Sequence, residues 1–256
     1  MSQSVAIVTG SSSGIGKATA IRLSRDFSAV VLAARNSAEL GEVAEQVRAN
    51  GAEPLVLDLD LRAPAAAETV VSRTMAKFGR IDALLNIAGA VPGIDLFQMT
   101  DQQWEAGMEL KLHGARRLTL HAWEALKANK GAVVLIAGNT AQVPAASAAA
   151  VGVINAAVVA LAKAFADRGL KDGVQVNSVS PGPVMTGRRL SMIENWAVAH
   201  KVETDEAKQT LLTQAGINRY GEPQDIAELM AFLVSRPARW MTGAQLRIDG
   251  GEVKSI

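Results

Sequence analysis

Seven short apolar runs alternate with longer amphipathic stretches along nearly all of the 256 residues, and no other feature restricts the fold as much. The runs are Val5–Val8, Ala29–Ala33, Leu55–Leu57, Ala83–Asn86, Ala132–Ala137, Val174–Ser178 and Gln245–Ile248. Between them lie Ile15–Arg25, Ala38–Ala49, Ala65–Phe78, Gln102–Ala128, Ala148–Asp167 and Gln224–Ser235. The longer stretches space their apolar residues three and four apart, which predicts helices with one face to bury. The short runs are apolar at consecutive positions, which predicts strands covered on both faces. Strict alternation of strand and helix requires a parallel sheet with right-handed crossovers and helices on both sides. The expected class is therefore α/β, with a doubly wound, seven-stranded parallel sheet. No Pro- or Ser-rich linker divides the chain and no repeat is visible, so residues 1–256 read as one domain. Thr186–Gly221 breaks the rhythm: it is polar, bears Met and Trp, and holds no strand pattern. A long insertion at a sheet's carboxyl edge reads as a lid over a ligand.

Composition narrows the chemistry. Lys plus Arg number 26 and Asp plus Glu 25, a net charge of +1 that gives no drive toward nucleic acid or an anionic membrane. With no cysteine, disulfides, thiolate nucleophiles and Cys-bound metals are excluded. The three histidines, His113, His121 and His200, lack metal-site spacing, so no metal is expected. Met1-Ser2-Gln3-Ser4 has neither the basic start nor the long apolar core of a signal peptide. Gly131–Ala162 carries no charge, but Asn139, Thr140, Gln142, Pro144 and Asn155 interrupt it and alanine dominates it. It reads as a buried strand and helix rather than a bilayer span. A soluble cytoplasmic protein is expected.

The first run ends in Val8-Thr9-Gly10-Ser11-Ser12-Ser13-Gly14-Ile15-Gly16-Lys17, a G-x3-G-x-G loop that closes a strand and opens a helix. Glycines permit the tight turn and close backbone approach to a pyrophosphate, which the unpaired N–H groups at the helix start then hold. This makes the expected architecture a Rossmann fold and places a dinucleotide on Gly10, Ser12, Ser13, Gly14, Ile15 and Gly16. An acid at the end of the second strand would hold the ribose 2′-hydroxyl of NAD. Ala34-Arg35 stands there instead. A guanidinium holds a 2′-phosphate that a carboxylate would repel. NADP(H) is therefore favoured over NAD(H), with Arg35 at the phosphate.

Further motifs follow in order: Asp58-Leu59, Asn86-Ile87-Ala88-Gly89, Pro181-Gly182-Pro183-Val184-Met185-Thr186, Thr242-Gly243 and Asp249-Gly250-Gly251. With the glycine loop, these make the chain resemble the short-chain dehydrogenase/reductase family, classical type, over essentially its whole length. Ile87 departs from the pattern, since the family usually has a second Asn there. The resemblance implies an oxidoreductase with Asp58 and Leu59 at the adenine. It also implies Asn86, Ala88 and Gly89 along the cofactor, and Pro181, Gly182, Val184 and Thr186 toward the nicotinamide.

The resemblance also implies a Tyr general acid, a Lys that lowers its pKa, an orienting Ser and an Asn that holds a water. Register from the Lys111-Leu112-His113-Gly114 and Ala156–Lys163 segments puts Lys111 at the Asn position and Asn155 at the Lys position. Gly138 falls at the Ser and Val151 at the Tyr. The one tyrosine, Tyr220, lies far along the chain. Hydride transfer to a carbonyl leaves an alkoxide that needs a proton donor. The candidates are Lys111, His113, Thr140, Ser147 and His200, with Lys111 foremost because burial lowers an ammonium pKa. Asn155 is a candidate for the nicotinamide ribose, and Asn139, Gln142 and Trp196 for the substrate pocket. Two functions fit: an NADP(H)-dependent oxidoreductase acting on a small carbonyl or alcohol through a non-standard site, or a catalytically silent cofactor-binding homologue. Non-redox chemistry on the same fold is a variant of the first. Finally, the Ala148–Ala166 helix carries Val151, Val153, Ile154, Val158, Val159, Leu161 and Phe165 around most of its circumference. A helix apolar all round needs cover on every side, which predicts a homo-oligomer, a tetramer by the resemblance.

Overall fold

The computed structural model describes residues 4–255. Its seven strands are β1 (Val5–Thr9), β2 (Ala29–Ala34), β3 (Glu53–Asp58), β4 (Ala83–Asn86), β5 (Ala132–Ile136), β6 (Gln175–Pro181) and β7 (Gln245–Ile248). They form one sheet in the order β3-β2-β1-β4-β5-β6-β7, every pair parallel. The helices are α1 (Gly14–Leu23), α2 (Ser37–Ala49), α3 (Ala66–Phe78), α4 (Asp101–Met108), α5 (Ala115–Ala128), α6 (Ala149–Asp172), α7 (Gly187–His200), α8 (Thr204–Ala215) and α9 (Pro223–Leu233).

Successive strand residues point to opposite faces, and each face has its own core. Val5 and Ile7, Val31 and Ala33, and Val133 and Leu135 pack with Val70, Leu118, Trp123, Leu126, Val158 and Ala162 of α3, α5 and α6. Ala6 and Val8, Val30 and Leu32, and Val134 and Ile136 pack with Leu23, Leu40, Val43, Val47, Ile226 and Met230 of α1, α2 and α9. This is the two-sided burial that the consecutive apolar runs predict.

The differences are local. β3 reaches from Glu53 to Asp58, two residues earlier and one later than its apolar centre, because backbone pairing with β2 runs the full length. β6 begins at Gln175 and continues to Pro181 beside β7. The stretch read as a single helix over Gln102–Ala128 is interrupted by a π turn at Glu109–Gly114. The strandless insertion holds α7 and α8, whose Ile193, Ala197 and Ala207 bury a small cluster with Tyr220. A parallel bridge between Val184 and Gly221 pins its two ends together.

Helix α6 is long and apolar enough to span a membrane by length and composition, with a mean hydropathy of 1.9 over the most apolar part of 146–172. It is instead a layer of this fold. Ala150, Ile154, Val158, Ala162 and Ala166 are buried along one side, with Asn155 and Asp172 among them. Its other side leaves Val153 half exposed and Leu170 71% exposed.

Candidate functional site

Strand order reverses between β1 and β4, and such a switch point opens a crevice at the carboxyl ends of the strands. Here it is a cleft of about 1270 Å³. The glycine loop forms one wall. Gly10 has φ +66°, open to glycine at no cost, and its N–H donates to Ala33 O at 2.8 Å. A Cβ on Gly16 would lie 2.0 Å from Gly10 O, and one on Gly10 3.0 Å from Ala88 Cα. The turn therefore closes only with glycine at both places. Thr9 ties the loop to the segment after β4: its Oγ1 accepts from Ile87 N at 2.8 Å and Ala88 N at 3.0 Å, and donates to Leu85 O at 3.3 Å. Ser13 caps α1 in extended conformation without using its side chain. The first-turn N–H groups thus have no side-chain cap, and Gly14, Ile15 and Gly16 line the cleft where such groups can hold a pyrophosphate.

Of the residues assigned to the cofactor, Gly10, Ser12, Ser13, Gly14, Ile15, Gly16, Arg35, Leu59, Ala88, Gly89, Asn155, Pro181, Gly182, Val184 and Thr186 line this cleft. Two residues assigned to the cofactor do not. Asp58 ends β3 exposed, behind the lining residues Leu59 and Asp60. Asn86 is buried and its amide donates to Thr119 Oγ1 at 3.1 Å. Among the substrate-pocket candidates, Asn139 lines the cleft, whereas Gln142 accepts from Arg247 Nη1 at 3.1 Å outside it. Trp196 packs into the α7–α8 cluster and stacks on His200 with centroids 3.8 Å apart. Arg35 is exposed at the cleft edge. The nearby Asp60 is neutralised by Arg62, whose Nη2 lies 2.6 Å from Oδ2.

The floor of the cleft carries one cation in an unusual setting. A π turn shifts helical register by an extra residue, and Lys111 sits within it. Its Nζ donates to Ala137 O at 2.9 Å and to Asn155 Oδ1 at 2.5 Å. The Asn155 amide in turn donates to Thr140 Oγ1 at 2.7 Å, so Lys111, Asn155 and Thr140 form one chain. Two glycines make room for it. A Cβ on Gly89 would lie 3.1 Å from Lys111 Cδ, and one on Gly138 2.6 Å from Asn155 Nδ2. Burial, helped by the Arg188 guanidinium, lowers the Lys111 pKa to about 7. Among the other proposed donors, His113 and His200 do not line the cleft; Thr140 does.

Residues 10–252 match the family model described as "Enoyl-(Acyl carrier protein) reductase". The chain belongs to the short-chain dehydrogenase/reductase family. It is 31% identical over 252 residues to a 3-oxoacyl-acyl-carrier-protein reductase of Synechocystis sp., covering 97% of this chain and 96% of the relative. The L-sorbose reductase of Gluconobacter frateurii, solved with NADPH and L-sorbose, superposes with a TM-score of 0.95 at 28% identity, covering 100% of this chain and 98% of that one. An actinorhodin polyketide ketoreductase solved with NADPH superposes with a TM-score of 0.92 at 30% identity, covering 98% and 97%.

On this short-chain dehydrogenase/reductase framework, Lys111, Gly138, Val151 and Asn155 all border the same part of the cleft. Among the cleft residues that the sequence did not point to are Arg188, Arg189 and Glu252. The signal for the arginines was a basic pair directly behind Thr186, and for Glu252 an acid directly behind Gly250-Gly251.

Proposed function

We propose that this chain is an NADP(H)-dependent carbonyl reductase in which Lys111 replaces the family's tyrosine as proton donor. The observation that carries the reading is the Lys111 ammonium on the cleft floor, held by Ala137 O and Asn155 Oδ1 with its pKa lowered to about 7. The cradle fits the cofactor: glycines where a Cβ would collide, a start of α1 with no side-chain cap, and Arg35 just after β2, with the nearby Asp60 paired to Arg62. The NADPH complexes of similar reductases support the same choice. The bound cofactor supplies the hydride. Lys111 donates one proton from Nζ to the carbonyl oxygen as the π electron pair moves onto it, leaving an alcohol and a neutral amine. A pKa near the working pH suits that donor. Asn155 holds the amine in place through a hydrogen bond fixed at its other end by Thr140. Val151 puts an apolar wall where the family has its tyrosine, and Gly138 leaves the carbonyl without an orienting hydroxyl.

On this reading the family's Asn, Ser, Tyr and Lys are all replaced, plain ketones are poor substrates, and the insertion at 186–221 lids a single dinucleotide-binding domain. The enzyme works in the cytoplasm as a homotetramer, with the uncovered side of α6 against a neighbouring copy. The test is NADPH oxidation against a panel of oxo compounds by wild type and Lys111→Met. A wild-type rate that falls above pH 7 and is lost in the variant is expected. Absence of turnover across the panel, with NADPH bound, would make the chain a silent cofactor-binding homologue.

A further inference from the structure

Arg189 is the cleft's unused cation. It lies in the first turn of α7, where its backbone N–H donates to Thr186 Oγ1 at 3.2 Å, and it lines the cleft. The neighbouring Arg188 is engaged: its guanidinium donates to Gly89 O and Val91 O. The Arg189 guanidinium has no hydrogen bond or ion pair among the described residues. It is partly buried and feels Glu252, Tyr220 and Arg188 only through space. Glu252, the acid facing it, binds the Asn139 amide instead, and burial raises its pKa. A desolvated guanidinium without a partner is unfavourable, and its planar fork matches carboxylate and phosphate oxygens. On the proposed function the cofactor's pyrophosphate takes the first-turn N–H groups of α1, which leaves the Arg189 guanidinium to another anion. Arg189 instead faces Tyr220 and the Glu252–Asn139 pair.

We propose that Arg189 anchors an anionic group, a carboxylate or phosphate, on the substrate, making the cleft selective for oxo acids or keto phosphates over neutral ketones. This rests on the reading that the cleft takes a carbonyl compound, and its test is independent of turnover. NADPH-loaded protein is titrated calorimetrically with levulinate, its neutral methyl ester and dihydroxyacetone phosphate. At least one anion should bind roughly 10–100-fold tighter than the ester, the span of one charge-assisted contact. Levulinate and dihydroxyacetone phosphate separate the carboxylate from the phosphate source. Arg189→Met should erase the preference while NADPH affinity stays unchanged, which also shows that the variant folds. Arg189→Lys should keep part of it, and Lys111→Met should keep the sign of it. Equal affinity for ester and anions, no binding of either anion, or loss of NADPH affinity in Arg189→Met would overturn the proposal. Anion preference without turnover by wild type would leave the subsite standing and refute only the reductase reading.

Discussion

Replacing Lys111 by Met tests the site through the stability of the fold, before any substrate is known. The change keeps the stem's volume and removes the charged head. In the folded chain the ammonium pKa falls from its ordinary 10.5 to about 7, because burial disfavours the charge and Arg188 repels it. A fall of that size is worth about 5 kcal/mol. Water reaches part of the side chain in the open cleft, so the figure is a ceiling. The sign follows from proton counting. Between pH 7 and 10.5 the unfolded chain holds a proton that the folded chain has released, so wild-type stability rises with pH across that window. Below pH 7 the charge is carried in both states and the fold bears its full cost. Lys111→Met removes this dependence. It also leaves Ala137 O and Asn155 Oδ1 without their donor, a loss of about 1–3 kcal/mol each, but that loss is the same at every pH. The diagnostic is therefore the slope. Urea denaturation of both proteins from about pH 6 to about pH 10 should show wild type gaining up to about 4 kcal/mol on the variant as pH rises. Parallel curves would refute the buried-ammonium argument, and with it the proposed proton donor.

Three further outcomes are expected. For reduction, where the ammonium is the active form, kcat/KM should be flat below pH 7 and fall roughly tenfold per unit above it; oxidation should show the mirror image, and a profile flat through neutrality excludes Lys111. Arg35→Ala should weaken NADPH by roughly 10–100-fold and leave NADH nearly unchanged, which calorimetry will report; a wild type that prefers NADH contradicts the cofactor assignment. Light scattering at micromolar concentration should find a homotetramer, and Val153→Asp on the exposed side of α6 should yield a smaller species; a monomeric wild type would refute the assembly.

Much of the fold was legible because burial on both faces of the sheet leaves a direct mark, consecutive apolar residues; the strand ends differ where pairing outruns side-chain burial, as at the exposed Glu53, or where buried residues such as Ser180 and Pro181 are not of strand-forming type. The π turn at Glu109–Gly114 left no such mark. An extra residue in a helix changes register without changing composition, so the apolar spacing of Gln102–Ala128 still reads as one helix. The pair α7 and α8 stayed hidden because only Ile193, Ala197 and Ala207 are buried in them, too few to make a face. At the site, the tight glycine turn was readable because a Cβ on Gly16 would strike Gly10 O and one on Gly10 would crowd Ala88. Side-chain direction was less so: Asn86 turns to Thr119 and Trp196 to His200, contacts that bring together residues the linear order keeps apart or leaves free to point elsewhere.

The arrangement at Lys111 joins the sequence anomalies to one another. On the proposed function, the Asn and the Lys of the pattern that the family resemblance implies have changed places: the amine comes from the π turn and the amide from α6. The two side chains meet at 2.5 Å, so on that reading the chain keeps an amine and an amide together in the cleft with their elements exchanged. Gly138 fits the same exchange, since a side chain there would sit 2.6 Å from the Asn155 amide. Gly138→Ser alone should therefore destabilise the protein by about 1–3 kcal/mol through overpacking. Placed together with Lys111→Asn, Val151→Tyr and Asn155→Lys, the same serine no longer meets that amide. The four changes should then raise NADPH-dependent reduction of plain ketones above wild type, whereas Val151→Tyr alone should do little, because the Lys111 ammonium stays bound to Ala137 O and Asn155 Oδ1 and the asparagine at 155 carries no charge to lower a phenol pKa of about 10. The measurement is the rate of NADPH oxidation after thermal melts and cofactor titration show the variant folded and loaded. If the folded, loaded fourfold variant is no faster than wild type, these four positions do not control the chemistry of the cleft.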